Sequence, residues 1–223
     1  MSPPHAATPW RTVIAEAWRS YQNRGWGVGA AAVDSDGSVI EVAGNSCSST
    51  AEHAEVLRHA EIEVLNRLTR PQRRTCIIYT TLEPCVLCLG ALTFCRVPVV
   101  AFMARDFSFS AGWRHLRQAP ILGSRVPTFR GPEQDVSATF ARLLSMVAEM
   151  ENGHGSGSFG LEQRMAPKLK RLADECVETS VFRRVHADED GWETLLCELR
   201  PRLDSVTEEL RRAEIRMNRL GML

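Results

Sequence analysis

Residues 50–68 read TAEHAEVLRHAEIEVLNRL and contain the triplet HAE twice, at His53–Glu55 and at His59–Glu61. Residues 80–92 read TTLEPCVLCLGAL and place two cysteines three positions apart, directly after a proline. Thiols at this spacing on the first turn of a helix point the same way, and the positive end of the helix dipole favours their thiolate form. Zinc is the ion that a thiolate pair prefers, so the second stretch predicts a zinc site.

The predicted ligands are Cys85, Cys88 and one histidine from the first stretch. Structural zinc sites take four protein ligands, whereas three ligands leave a position for water and are typical of catalytic sites. Zinc lowers the pKa of bound water, and a glutamate that is not a ligand can take the proton and return it to a leaving nitrogen. Histidine–x–glutamate followed by proline–cysteine–x–x–cysteine is the pattern of the zinc deaminases.

Three segments, HAEIEVL, TTLEPCVLCLGAL and CRVPVVAFMARD, resemble the cytidine deaminase superfamily. The resemblance covers roughly residues 9–150 and is closest to the branch of bacterial tRNA adenosine deaminases, guanine deaminases and riboflavin-pathway deaminases. It implies a zinc-dependent deaminase, a hydrolase acting on the C–N bond of a cyclic amidine, with a three-layer α/β/α sandwich and a mixed central sheet.

The two HAE triplets compete for the catalytic role. Positions three and six after His59 are the apolar Ile62 and Leu65, as the superfamily pattern requires of residues that face the sheet. Against this choice, SSTAE at residues 48–52 could form a capping box that starts the helix early and favours His53. Packing of the apolar face is the larger energetic term, so we assign His59 as the zinc ligand and Glu61 as the proton-transfer group.

The predicted elements alternate between helix and strand. Residues 10–24 form an amphipathic helix, GVGAAAVD and SVIEVAG form a hairpin, and a helix follows through about Thr69. TCIIYTTL is a strand, CVLCLGALTFC a helix and VPVVAFMA a buried strand. This order predicts a mixed sheet covered by helices.

The composition changes after residue 150. We expect a deaminase domain at 1–150, a flexible Gly/Ser-rich linker at 151–160 and a helical extension at 161–223. Pro201 is expected to break or kink the extension. Apolar residues recur there at alternating steps of four and three, which predicts either a helical hairpin packed on its own domain or a coiled coil that forms an oligomer: Trp192, Leu196, Leu199, Leu203, Val206, Leu210, Ala213, Met217 and Leu220.

The resemblance also suggests substrate contacts. Asn45 matches the asparagine that ends the second strand and binds substrate in the superfamily. After the fourth strand, where related enzymes close the pocket, Asp106 could contact a ring nitrogen or amino group, and Phe107, Phe109 or Trp113 could stack on a flat ring.

The expected substrate is a small aminated heterocycle, as a free base or nucleoside. A tRNA or other polynucleotide is the alternative, and a zinc-binding scaffold subunit without activity is a further one. The formal net charge is zero, so the chain as a whole has no field that attracts nucleic acid, although RPQRR and RMAPKLKR are small basic clusters.

The composition also bears on location and assembly. No apolar run approaches the length of a membrane span, the N-terminus lacks a secretory pattern, and the seven cysteines are an odd number. We therefore expect a cytoplasmic protein with reduced thiols and no membrane partner. The resemblance implies a homodimer or a higher homo-oligomer.

Overall fold

The computed structural model describes residues 9–47, 56–107, 112–153 and 159–219. Its elements in chain order are α1 (Pro9–Gln22), β1 (Gly29–Val33), β2 (Val39–Gly44), α2 (Ala60–Arg67), α3 (Arg70–Arg73), β3 (Ile77–Leu82), α4 (Val86–Cys95), β4 (Val99–Ala104), α5 (Gly112–Leu116), β5 (Thr128–Arg130), α6 (Val136–Glu151), α7 (Gly160–Met165), α8 (Pro167–Glu178), α9 (Val181–Arg184) and α10 (Gly191–Arg219). A short 3₁₀ turn, Gly123–Arg125, precedes β5.

The five strands form one sheet in the order β2-β1-β3-β4-β5. β1 pairs antiparallel with both β2 and β3, whereas β3, β4 and β5 run parallel. In the turn between β1 and β2, the Asp34 carboxylate accepts hydrogen bonds from the backbone N–H groups of Asp36 and Ser38. The predicted mixed sheet is confirmed.

Helices cover both faces of the sheet, because alternate side chains of each strand point to opposite sides. Ala30, Ala32 and Ile78 pack with α2 and α4 in one apolar core. Ala31 packs with α1, α6 and the C-terminal helices in the other. The three-layer α/β/α sandwich predicted from the sequence is therefore confirmed.

Three elements between β4 and the C-terminal helices were not predicted, namely α5, β5 and α6. β5 has only three residues, which is too short to show a strand period. α6 is capped by the Asp135 carboxylate, which accepts a hydrogen bond from the backbone N–H of Ala138, and it forms the centre of the second layer.

The C-terminal helices pack on the sandwich. The seam of α10 lies in the same core as α1 and α6: Trp192, Leu199, Leu203, Val206, Ala213 and Met217 are buried there, and Leu196 and Leu210 are partly buried against it. Leu220 lies outside the described residues. This packing corresponds to the helical-hairpin alternative, because the seam faces the chain's own core. The predicted domain boundaries stay predictions, and residues 154–158 of the predicted linker lie outside the described part of the chain.

The expectation that Pro201 breaks the extension was wrong, since α10 continues through it, whereas the expected kink stays a prediction. A proline removes one N–H to C=O bond of the helix, here to the carbonyl of Cys197. Both residues are exposed, so water can satisfy that carbonyl. Leu199 and Leu203 on either side are buried and hold both halves of the helix in the core. No helix in the described ranges has the length and apolar character needed to cross a membrane.

Candidate zinc site

Three potential metal ligands converge at the amino ends of α2 and α4. His59 is the residue before α2 and has an extended backbone, and Cys85 holds the same position before α4. Cys88 lies on the first turn of α4. The structure thus brings together the three residues assigned from the sequence, and among the described residues they are the group able to hold a metal ion.

The distances within the cluster fit zinc. The Nδ1 atom of His59 lies 3.6 Å from the Sγ of Cys85 and 3.5 Å from the Sγ of Cys88. With Zn–N of about 2.05 Å and Zn–S of about 2.3 Å, a tetrahedral ion requires roughly 3.6 Å between a nitrogen and a sulfur ligand. The backbone carbonyl of Val56 hydrogen-bonds the His59 ring and so fixes its orientation.

The electrostatics of the cluster favour a charged ligand set. A hydrogen bond from Cys88, together with those of His59, lowers the pKa of Cys85 to about 4 although burial opposes this change. Burial lowers the pKa of His59, but the hydrogen bond and the charge of Cys85 outweigh it, and the net change is upward. Cys85 is therefore a thiolate at neutral pH, the form that binds a metal.

Glu61 lies beside the cluster without belonging to it. Its side chain is buried, with its residue only 3% exposed. Its Oε1 accepts a hydrogen bond from the Thr80 hydroxyl at 3.2 Å, and its Oε2 accepts one from the Cys88 thiol at 3.3 Å. Burial, followed by the charge of Cys85, raises the pKa of Glu61.

Asn45 lies directly after β2 and is buried. Its Oδ1 accepts hydrogen bonds from the backbone N–H groups of Trp26 and Cys47, at 3.3 and 3.0 Å. The Trp26 ring meets the His59 ring edge-on with centroids 5.5 Å apart. Asn45 thus shapes the loop that borders the cluster, and its contact with substrate stays a prediction.

Asp106 and Phe107 are not brought to the cluster. Asp106 forms an ion pair with Arg142 of α6 at 3.7 Å, and Phe107 packs in the core shared with α6. Both contacts lie on the face of the sheet opposite α2 and α4. A charged side chain inside α6 attracts Asp106 to that face, which the local sequence could not indicate. His53, Glu55 and Phe109 lie outside the described residues.

Some residues around the site were missed by the sequence analysis. Thr80 hydrogen-bonds Glu61 and lies two residues after the buried Ile78 on β3. Residues two apart on a strand point to the same face of the sheet, so the sequence could have placed Thr80 on the face that carries the site. Trp26 and Cys47 had no such signal, because irregular loops position them beside His59 and Cys85.

Comparisons with known proteins give a family model and several relatives that match part of the chain. A family model described as "Cytidine and deoxycytidylate deaminase zinc-binding region" matches residues 6–104. The tRNA-specific adenosine deaminase of Aquifex aeolicus is 35% identical over 99 residues, which are 43% of this chain and 64% of that protein. The cytosine deaminase of Candida albicans is 32% identical over 85 residues, 37% of this chain and 55% of that protein.

The chain thus spans less than two thirds of the length of these curated relatives. A structure from a study of tRNA:A34 deaminases is 26% identical, covers 54% of this chain and 94% of its own, and has a TM-score of 0.45.

Proposed function

We propose that this chain, whose residues 6–104 match the family model of the cytidine and deoxycytidylate deaminase zinc-binding region, is a zinc-dependent hydrolytic deaminase of a nucleobase-like heterocycle. The observation that carries the proposal is a three-ligand cluster with a buried carboxylate beside it. Three ligands suit a catalytic zinc, and Glu61 is the group placed to move a proton.

In the proposed reaction, His59, Cys85 and Cys88 hold the ion, and zinc bound there supplies Lewis-acid activation of water at neutral pH. Once Cys88 is a thiolate ligand it no longer donates to the Oε2 of Glu61, while Thr80 still holds Oε1. The free oxygen then takes a proton from water and delivers it to the exocyclic nitrogen. The water oxygen stays on the ring carbon, and the nitrogen leaves as ammonia.

Burial raises the pKa of Glu61 above the ordinary value of a carboxyl group, which favours a carboxylate that can both take up a proton and return it. Its burial also keeps bulk water from the carboxylate, so the proton goes to the substrate. Asn45 and the edge of Trp26 border the site, and we propose that the heterocycle lies against them. Asp106 and Phe107 would contribute only through the loop that they anchor to α6.

A small free base or nucleoside is the substrate that we favour, and a polynucleotide is the second candidate. One observation supports the second: residues 107–132 contain no acidic residue and carry Arg114, Arg117, Arg125 and Arg130. Trp113 donates a hydrogen bond to Glu83 at 3.2 Å, so this basic segment begins beside the loop that carries Cys85. Such a segment could follow a phosphate backbone into the site.

Ammonia release by the zinc-loaded protein tests the proposal on free bases, nucleosides and an anticodon stem-loop RNA. Glu61→Gln should lower turnover by about 10²–10⁴-fold with zinc content unchanged, because the proton transfer is lost and the ligands remain. Glu63→Gln is the matched control, since Glu63 lies on the same helix and pairs with Arg58 at the surface.

Turnover of a small heterocycle that survives Glu61→Gln would refute the assignment of this residue. Turnover of the RNA alone, falling steeply as salt is raised, would establish the polynucleotide candidate instead. A wild-type protein that holds zinc and is silent on every substrate would leave the scaffold-subunit alternative.

We further propose that the active form is a homodimer, because α4 carries large apolar side chains that the described residues leave exposed. Val86 and Phe94 are 67% and 70% exposed, and Leu87 between them is 41% exposed. A helix that is apolar all round is normally buried all round, and α4 contains no charged residue that would pair with a partner of another kind. A second copy that offers the same face would cover it. Phe94→Glu should then shift the mass in light scattering to that of one chain.

We also propose a cytoplasmic location. It rests on the reduced thiols that the zinc cluster needs and on the nucleobase chemistry of the proposed reaction.

A further inference from the structure

Glu83 is a buried carboxylate in the loop between β3 and α4, two residues before the ligand Cys85. Its backbone N–H donates to the carbonyl of Ala104 at 2.8 Å, which ties the loop to the end of β4. Its Oε2 accepts a hydrogen bond from Arg105 at 2.9 Å, and its Oε1 accepts one from Trp113 at 3.2 Å. A buried charge of this kind is tolerated because it is paired and hydrogen-bonded.

Arg105 bridges this loop to the C-terminal helix. One terminal nitrogen of its guanidinium contacts Glu83, and the other donates to Glu214 of α10 at 2.8 Å. The arginine side chain is 10% exposed, Glu83 is 0% exposed and Glu214 is 14% exposed. A planar guanidinium presents its N–H groups at fixed angles, so the place of Glu214 constrains the place of Glu83. Gln134 also donates to Glu214, at 3.5 Å.

The position of Cys85 depends on this loop. Cys85 precedes α4 in an extended conformation, and Cys88 on the first turn of α4 hydrogen-bonds its sulfur. The place of this turn relative to His59 depends on the loop of residues 83–85, which joins α4 to β3. Groups that orient metal ligands from outside typically contribute 10–100-fold to metal affinity or activity.

We propose that Glu214 is a positioning residue for the zinc-ligand loop and that it acts through Arg105 and Glu83. Glu214 lies outside the matched residues 6–104, so the C-terminal helix would add a control on the metal centre that the family region does not contain. The inference rests on the proposed function for the identity of the metal, although its main measurement does not need turnover.

The test compares Glu214→Ala with Glu208→Ala. Glu208 lies on the same helix but pairs with Arg212 of its own helix at the surface, so it controls for the loss of a carboxylate from α10. Zinc affinity is measured by competition with a chelator, and the Co²⁺-substituted proteins are compared by the absorption bands of the thiolate-bound ion. We expect Glu214→Ala to weaken zinc binding by about 3–10-fold and to shift these bands, because it acts one step further away than a direct partner of the ligand loop. Glu208→Ala should match wild type, and Glu214→Gln should recover part of the loss by accepting the hydrogen bond.

The route through Arg105 is tested by combining variants. If Glu214 acts only through this arginine, adding Glu214→Ala to Arg105→Ala should cause no further loss of zinc affinity, since the link is already cut. Equal zinc affinity and equal Co²⁺ spectra in Glu214→Ala and wild type would overturn the proposal. Equal losses in Glu214→Ala and Glu208→Ala, or additive losses in the double variant, would also overturn it. A wild type without deaminase activity would refute the proposed function and leave these zinc measurements standing.

Discussion

Leu203→Ala should destabilise the whole protein, including the zinc site, because its side chain lies in the core that α10 shares with α1 and α6. Leu203 is 0% exposed. The substitution removes three carbon groups, worth about 2.4 kcal/mol at ~0.8 kcal/mol each. The cavity left behind adds to this loss, so the free energy of unfolding should fall by about 3–4 kcal/mol. In a chain of this size that corresponds to a Tm lower by roughly 6–16 °C.

The assay follows urea unfolding by circular dichroism and, in the same samples, by release of zinc to an indicator. If α10 shares one core with the sandwich, both signals should change at the same urea concentration, and Leu203→Ala should shift both midpoints equally. Ile215→Ala is the control, because Ile215 lies on the same helix and is 54% exposed, and it should change stability by less than about 1 kcal/mol. Two separate transitions, with zinc retained after the helices of residues 159–219 have unfolded, would refute the shared core.

Three further predictions concern charged and sulfur groups. Burial raises the pKa of Glu149 from 4.5 to about 7, so its neutral form is favoured in the fold, and stability should fall by about 2–3 kcal/mol as pH rises through this window. In Glu149→Gln, the free energy of unfolding measured in urea should no longer fall between about pH 5 and about pH 8. The same fall in wild type and variant would contradict the role given to Glu149. Cys88→Ser should abolish stoichiometric zinc binding in metal analysis, whereas Cys95→Ser on the same helix should retain it. Arg142→Met removes the buried cation that contacts Asp106 and Glu162 and should cost about 3–5 kcal/mol in denaturant unfolding. Arg183→Met removes the exposed member of a pair with Glu151 and should cost less than about 1 kcal/mol.

The exposed fraction of these groups explains the differences between the paired variants. Arg142 is surrounded by protein, so its carboxylate partners cannot turn to water when it is removed. Arg183 is 62% exposed, so solvent screens its charge, and Glu151 keeps a hydrogen bond from the Tyr21 hydroxyl when the arginine is removed. A large loss for Arg183→Met, or none for Arg142→Met, would contradict this explanation.

The sequence by itself predicted four of the five strands and the three residues of the candidate zinc site. Short apolar runs predicted β1, β3 and β4, because these strands are buried between helices on both faces of the sheet, and β2 followed from the hairpin turn. The candidate ligands could also be predicted from local sequence. His59 and Cys85 each lie directly before a helix, where the position in the chain fixes the direction of the side chain. The apolar positions Ile62 and Leu65 favoured His59 over His53, and both side chains pack in the core beneath α2.

Only the tertiary structure decided how the C-terminal helices pack and which distant charged residues pair. The spacing of leucines in α10 fits a partner helix as well as the chain's own core, because both bury the same stripe, and the packing of α6 against it selects the core. Pro201 remains inside a helix because buried leucines on both sides hold it there. Asp106 turns toward Arg142, and Glu83 reaches Glu214 through Arg105, across separations of 36 and 109 residues for the two arginine contacts. Pairings between charges so far apart in sequence depend on how the layers stack, and no local pattern encodes that.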